Sequence, residues 1–159
     1  MSNTVDLLPA NLQGTLHQIV QQSNLSGGGI QVILLSTAEG VPLGRVYSDR
    51  NAPLNEDVLS SIESTWAPAS KQFPLLNMGK EARTVTAIYD HGTVFHVYQA
   101  PVVVTILVGP HANLGAVRST AIPLLKEVLE PLCTTLLNSL APARDDWQDP
   151  DAAYPQQGY

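Results

Sequence analysis

Only one cysteine, Cys133, occurs in the 159 residues, which excludes an intrachain disulfide and suits a reducing compartment. Basic residues are scarce, 8 against 14 acidic ones, and they form no stripe. That argues against nucleic acid as a partner and against direct binding to anionic lipid. No apolar run approaches the roughly 20 residues needed to cross a bilayer. The opening MSNTVDLLPANLQG has neither a basic start nor an apolar core, so no secretory signal is expected. With Ser2 in place of glycine, N-myristoylation is not expected. The net charge is −6, and Asp145, Asp146, Asp149 and Asp151 against Arg144 put half of it in the last 19 residues.

Patterns that carry chemistry are missing as well. His17, His91, His96 and His111 are scattered over different elements, and none is paired at metal-ligand spacing. Cys133 has no C-x-x-C partner and reads as a small core residue. Ser26-Gly27-Gly28-Gly29 is glycine-rich, but it follows a helix and precedes a strand, the reverse of a phosphate-cradling loop. It reads as a flexible linker. Glu56-Asp57 and Glu127/Glu130 look like solvated helix faces, and the topology implies no histidine near Ser36, Ser48 or Thr105. Arg45, Arg50, Arg83 and Arg118 are read as surface residues, none placed as a catalytic finger. No cofactor, no metal and no enzyme activity are expected.

What is present is an alternation of helical and strand patterns. Asn11 is placed to cap a helix in which Leu12, Leu16, Ile19 and Val20 share a face. Residues 30–35 and 41–47 read as two strands joined at Thr37-Ala38-Glu39-Gly40, the second suited to a sheet edge by Pro42 and Gly44. A second helix is expected over about 54–70 after Pro53, with Val58, Leu59, Ile62 and Trp66 along one side and Pro68 ending or kinking it. Strands at 84–89 and 93–98 meet at Asp90-His91-Gly92. The apolar run 102–108, broken only by Thr105, reads as a strand buried on both faces. Its junction with the last helix runs through Gly109-Pro110 and Asn113, a suitable cap. That helix aligns Leu114, Val117, Ala121, Leu124, Leu125, Val128, Leu132 and Leu136, with a kink expected near Pro123. Residues 1–10 form a polar lead, 11–140 the domain, and 141–159, which lose periodicity, an acidic tail expected to be disordered.

The order α-β-β-α-β-β-β-α with short turns points to an α+β fold: one five-stranded antiparallel sheet with helices on both faces. Within it the strand 84–89 is the unusual one. Val85, Ala87 and Tyr89 alternate with Thr84, Thr86 and Ile88, and it pairs with 93–98 on one side only. No proline or lysine inside it discourages a further strand. Either residues 70–80 shield this edge, or a partner's strand docks there.

Several segments resemble the roadblock / dynein light chain family: Ala38-Glu39-Gly40-Val41-Pro42, Asn51-Ala52-Pro53, residues 76–80, Pro101-Val102-Val103-Val104, Ala112-Asn113-Leu114-Gly115 and Leu129-Glu130-Pro131-Leu132. The linker 24–29 is longer than the family's and the tail after Ala141 is extra. The resemblance, which spans about 12–140, implies a sheet with two helices on one face and one on the other. It also implies a non-catalytic scaffold that heterodimerises with a second roadblock subunit. The larger assembly would be a Ragulator-like complex supporting Rag GTPase, mTOR complex and MAP kinase signalling at late endosomes and lysosomes. The membrane would be reached only through a lipidated partner. Carried onto this chain, the interface comprises Val58, Leu59, Ile62, Trp66, Thr84, Val85, Thr86, Ala87, Ile88 and Tyr89. Alternative readings are a roadblock-type regulator acting directly on the nucleotide cycle of a small GTPase, and a small-molecule sensor.

Overall fold

The structure is a computed structural model, which describes residues 8–49, 54–79 and 81–140. The tail 141–159, most of the N-terminal lead, Arg50, Asn51-Ala52-Pro53 and Lys80 lie outside the described residues. Helix α1 spans Ala10–Leu25, and strands β1 (Ile30–Thr37) and β2 (Pro42–Tyr47) follow. Two short helices, α2 (Glu56–Glu63) and α3 (Trp66–Ser70), lead through a 3₁₀ turn, Phe73–Leu76, to β3 (Thr84–Tyr89), β4 (Gly92–Gln99) and β5 (Val102–Val108). The chain closes with α4 (Leu114–Ala116), a π-helical turn (Val117–Ala121) and α5 (Ile122–Leu140).

One five-stranded sheet has the order β2-β1-β5-β4-β3, antiparallel throughout. The apolar β5 is central, as its two-sided hydrophobicity requires, and the proline-bearing β2 and the amphipathic β3 form the edges. Leu16, Ile19 and Val20 of α1 and Ile122, Leu125, Leu129 and Cys133 of α5 cover one face, over Ile33, Leu35, Phe95, Val104 and Ile106. On the other face Leu59 of α2 packs on Val32 and Leu34, with Tyr47, Leu54 and Leu107 beside them. Two helices on one face and one helical segment on the other is the arrangement that the resemblance implies.

Four local expectations are corrected. Asn11 does not cap α1: Pro9 holds the cap position, and Asn11 lies inside the first turn, its carbonyl accepting from Thr15 Oγ1 at 2.9 Å. The expected helix over 54–70 is two helices, broken at Ser64-Thr65, upstream of Pro68. There Ser64 Oγ donates to Ser61 O at 2.9 Å and Thr65 Oγ1 to Ile62 O at 2.7 Å, occupying carbonyls that the next turn would use. Pro68 sits in the first turn of α3, where a backbone N–H has no helical partner to lose. Near Pro123 the expected irregularity is the π-helical turn just before it; proline has no N–H for the carbonyl four residues back, and the helix widens ahead of it. Leu124, expected on the buried face, is 38% exposed because Ile122, Leu125 and Leu129 carry that face instead.

The fourth correction concerns 26–29, which is an ordered loop and not a free linker. Asn24 clamps the start of β1, with its Nδ2 donating to Ile30 O at 3.0 Å and its Oδ1 accepting from Ile30 N at 2.7 Å. Asn113 N donates to Gly27 O at 2.8 Å and Gly109 N to Gly29 O at 3.0 Å, so the loop is stitched to the β5–α4 junction. Gly29, at φ 62°, lies where a Cβ would stand 2.9 Å from Ala112 Cβ, which leaves no room for a side chain. Asn113 also caps α4 as expected, accepting from Ala116 N at 3.1 Å.

Candidate partner interface

The β3–β4 register pairs Thr84 with Val97, Val85 with His96, Thr86 with Phe95 and Ala87 with Val94. Tyr98 N donates to Arg83 O at 2.9 Å, which marks Arg83 and Tyr98 as a hydrogen-bonded pair. Antiparallel pairs alternate, so Val85, Ala87 and Tyr89 direct their backbone groups at β4. Thr84, Thr86 and Ile88 direct theirs away from the sheet, toward a strand that the described chain does not supply. Their side chains are exposed, with Ile88 at 72%. Among the described residues β4 is the element that packs extensively along β3. In the segment that one of the two readings offers as a shield, Phe73 meets Trp66 of α3 edge-on at 5.5 Å, while Leu75, Leu76 and Met78 stand exposed.

The helical candidates divide in two. Val58 (50% exposed) and half-buried Ile62 line a shallow surface groove of about 300 Å³ with Asp57, Ser61 and Thr65. Leu59 and Trp66 turn inward, at 1% and 3% exposure, and hold their helices on the sheet. Of the strand candidates, Val85 and Ala87 are half-buried on the α2 face, and Tyr89 is exposed there. The groove and the strand edge are joined through Thr65, which lines the groove and contacts His96 Nε2 at 3.2 Å; His96 in turn pairs with Val85. They thus occupy one side of the molecule.

Two buried polar contacts fix this geometry. Arg45, read from sequence as a surface residue, has a side chain only 5% exposed. It bonds Glu63 Oε1 at 3.3 Å through Nε and Oε2 at 3.4 Å through Nη2, and Ser60 Oγ at 3.2 Å. Burial works against its charge, yet the bond and the attraction to Glu63, with help from Tyr47, carry its pKa above the ordinary arginine value. This fork ties α2 to β2. No sequence spacing links residues 45 and 63; an arginine and a glutamate on otherwise inward positions were the available signal. The second contact overturns the expectation that Thr105 has no histidine near it. His96 Nδ1 lies 3.0 Å from Thr105 Oγ1, and both residues are sealed beneath α3, where Trp66 stands 6.1 Å from the imidazole. A threonine wholly excluded from the surface cannot meet a substrate, so the pair is structural.

Burial lowers the His96 pKa below its ordinary 6.5. The unfolded chain then binds more protons than the folded one as pH falls through that value, and stability drops. Urea unfolding at a series of pH values should show stability declining below pH 6.5, by at most about 1.4 kcal/mol per pH unit from one proton. His96→Gln should flatten that part of the slope; an unchanged slope would remove His96 as its source.

Among the described residues no group of three or more His, Cys, Asp or Glu side chains could hold a metal ion. No described helix is long and apolar enough to cross a membrane. Residues 10–135 match the model of the family described as mitogen-activated protein kinase kinase 1 interacting. The chain belongs to that family. Solved structures place this member of the kinase kinase 1 interacting family in the roadblock fold. A gliding protein MglB from Thermus thermophilus is 16% identical with a TM-score of 0.60, over 82% of this chain and 99% of its own. A Roadblock/LC7 domain from Streptomyces avermitilis is 14% identical with a TM-score of 0.59, over 76% and 95%. Myxococcus xanthus MglB is 15% identical with a TM-score of 0.58, over 77% and 97%. No curated protein sequence matches the chain.

Proposed function

We propose that this chain is a non-catalytic adaptor that heterodimerises with a second roadblock subunit through the outer edge of β3 and the groove on α2. The observation that carries this reading is the row of outward-directed backbone groups at Thr84, Thr86 and Ile88, flanked by exposed apolar side chains. An uncovered edge without a lysine or proline is a site for strand addition. Membership of the mitogen-activated protein kinase kinase 1 interacting family supports a kinase component as a further partner. Its resemblance to the MEK-partner scaffold, the third Ragulator subunit, supports the finer reading. In that reading the heterodimer belongs to a Ragulator-like complex that supports Rag GTPase, mTOR complex and MAP kinase signalling. It works at the cytosolic face of late endosomes and lysosomes, held there by a lipidated partner.

Co-purification from the native cell tests it. Ile62→Glu places a charge in the α2 groove, in a side chain that is not fully buried, so the fold should survive. Recovery of a small roadblock partner should fall at least about tenfold, the cost of one unpaired charge at an interface centre. Undiminished recovery, or a wild-type chain that purifies without any roadblock partner, would defeat the proposal.

A further inference from the structure

A cavity of about 220 Å³ opens beside α3, lined by Ala38, Trp66, Ser70, Phe73, Glu81, Ala82 and Tyr98. Its volume is several times the share of one water molecule. One wall is aromatic: half-buried Phe73 and Tyr98 offer ring surface, and Trp66, only 3% exposed, backs them, stacking on Tyr98 at 5.7 Å with 27° between the rings and meeting Phe73 edge-on at 61°. The rim carries a carboxylate, because Glu81 lines the cavity, and Glu39 follows the lining residue Ala38 in the chain. Burial, and then the charges of Glu81 and Glu39, push the Tyr98 hydroxyl above its ordinary pKa of 10.0. Neither carboxylate forms an ion pair among the described residues, although Lys71 and Arg83 stand nearby along the chain. A carboxylate at the edge of a π-rich hollow, in a chain of net charge −6, complements a cation that is also flat and weakly hydrated.

We infer that this cavity is a receptor for an arginine side chain presented by a partner polypeptide. Its guanidinium would lie against the half-buried Tyr98 and Phe73 rings and hydrogen-bond Glu81, with Glu39 adding attraction from the β1–β2 turn. A lysine ammonium fits less well, because its compact hydrated charge gains less from an aromatic wall than a planar guanidinium does. The site does not depend on strand addition at β3 and does not share residues with the α2 groove.

The test is an NMR titration of the full-length chain with the capped tripeptide acetyl-Gly-Arg-Gly-amide, using acetyl-Gly-citrulline-Gly-amide as a neutral isostere. Trp147→Phe identifies the Trp66 indole signal. The arginine peptide should shift the Trp66 indole and the Tyr98 ring saturably, and the citrulline peptide should not. Glu81→Gln, a change at an exposed residue that leaves the fold intact, should weaken binding about fivefold, and Glu39→Gln by less. Absence of shifts at these rings, equal shifts with citrulline, or binding indifferent to both glutamine variants would each overturn the assignment.

Discussion

Thr86→Pro is expected to abolish binding of a roadblock partner while the chain remains folded. The Thr86 N–H is one of those directed away from β4, so its removal breaks no hydrogen bond within the sheet. Proline is tolerated on an edge strand when its nitrogen faces solvent, so stability should change by no more than about 1 kcal/mol. A docking strand, in contrast, loses a central hydrogen bond and meets the ring. Affinity should fall at least about a hundredfold, equivalent to about 2.7 kcal/mol. Ala87→Pro is the opposing control. That N–H points into β4, so this variant should lose stability as well as binding. Urea unfolding and calorimetric titration with the co-purified partner separate the two effects; a Thr86→Pro chain that binds normally would refute the strand-addition geometry.

A second large effect is expected at Glu63→Ala. The Glu63 side chain is 2% exposed and that of Arg45 5% exposed, so deleting the carboxylate strands a guanidinium with only Ser60 and the longer 3.7 Å approach of Glu56 to answer it. Breaking a buried pair on one side costs about 3–5 kcal/mol, and the exposed Glu56 and Ser60 should bring the loss here to about 3 kcal/mol. Because the fork joins α2 to β2, the loss should appear as lower resistance to urea and as weaker partner binding through a displaced groove. Replacing both residues, Arg45→Met with Glu63→Leu, should recover most of the stability, since an apolar pair of similar volume carries no desolvation cost. A Glu63→Ala loss below about 1 kcal/mol would mean the pair is hydrated and does not anchor the helix.

The sheet was legible because its strands are separated by strong punctuation and its centre is apolar on both faces. Val102–Val108 could only be interior, and Pro42 could only be on an edge. The edge position of Thr84–Tyr89 followed from its lighter, alternating pattern. Capping and helix breaks were less legible, because they turn on competition among neighbouring polar groups. Ser64 and Thr65 interrupt the helix by bonding carbonyls behind them, and nothing in the apolar spacing of Leu59, Ile62 and Trp66 signals it. Those spacings put four residues on one side, whereas the break leaves Val58 and Ile62 outward and Leu59 and Trp66 inward. The Arg45–Glu63 fork and the His96–Thr105 contact join residues far apart in sequence or on adjacent strands, and only the sheet register brings them together. The order of the 26–29 loop has the same origin, since its partners Gly109 and Asn113 arrive from the other end of the domain.

The central claim is that β3 is the strand to which another subunit adds, and residue-resolved amide hydrogen exchange tests it most directly. In the free chain Val85 and Ala87, bonded to β4, should exchange slowly, and Thr84, Thr86 and Ile88 should exchange freely. Bound to its roadblock partner, the chain should show strong new protection at Thr84, Thr86 and Ile88 together, with little change at Val85 and Ala87. A complex that forms while those three amides continue to exchange at their free-chain rates would contradict the account.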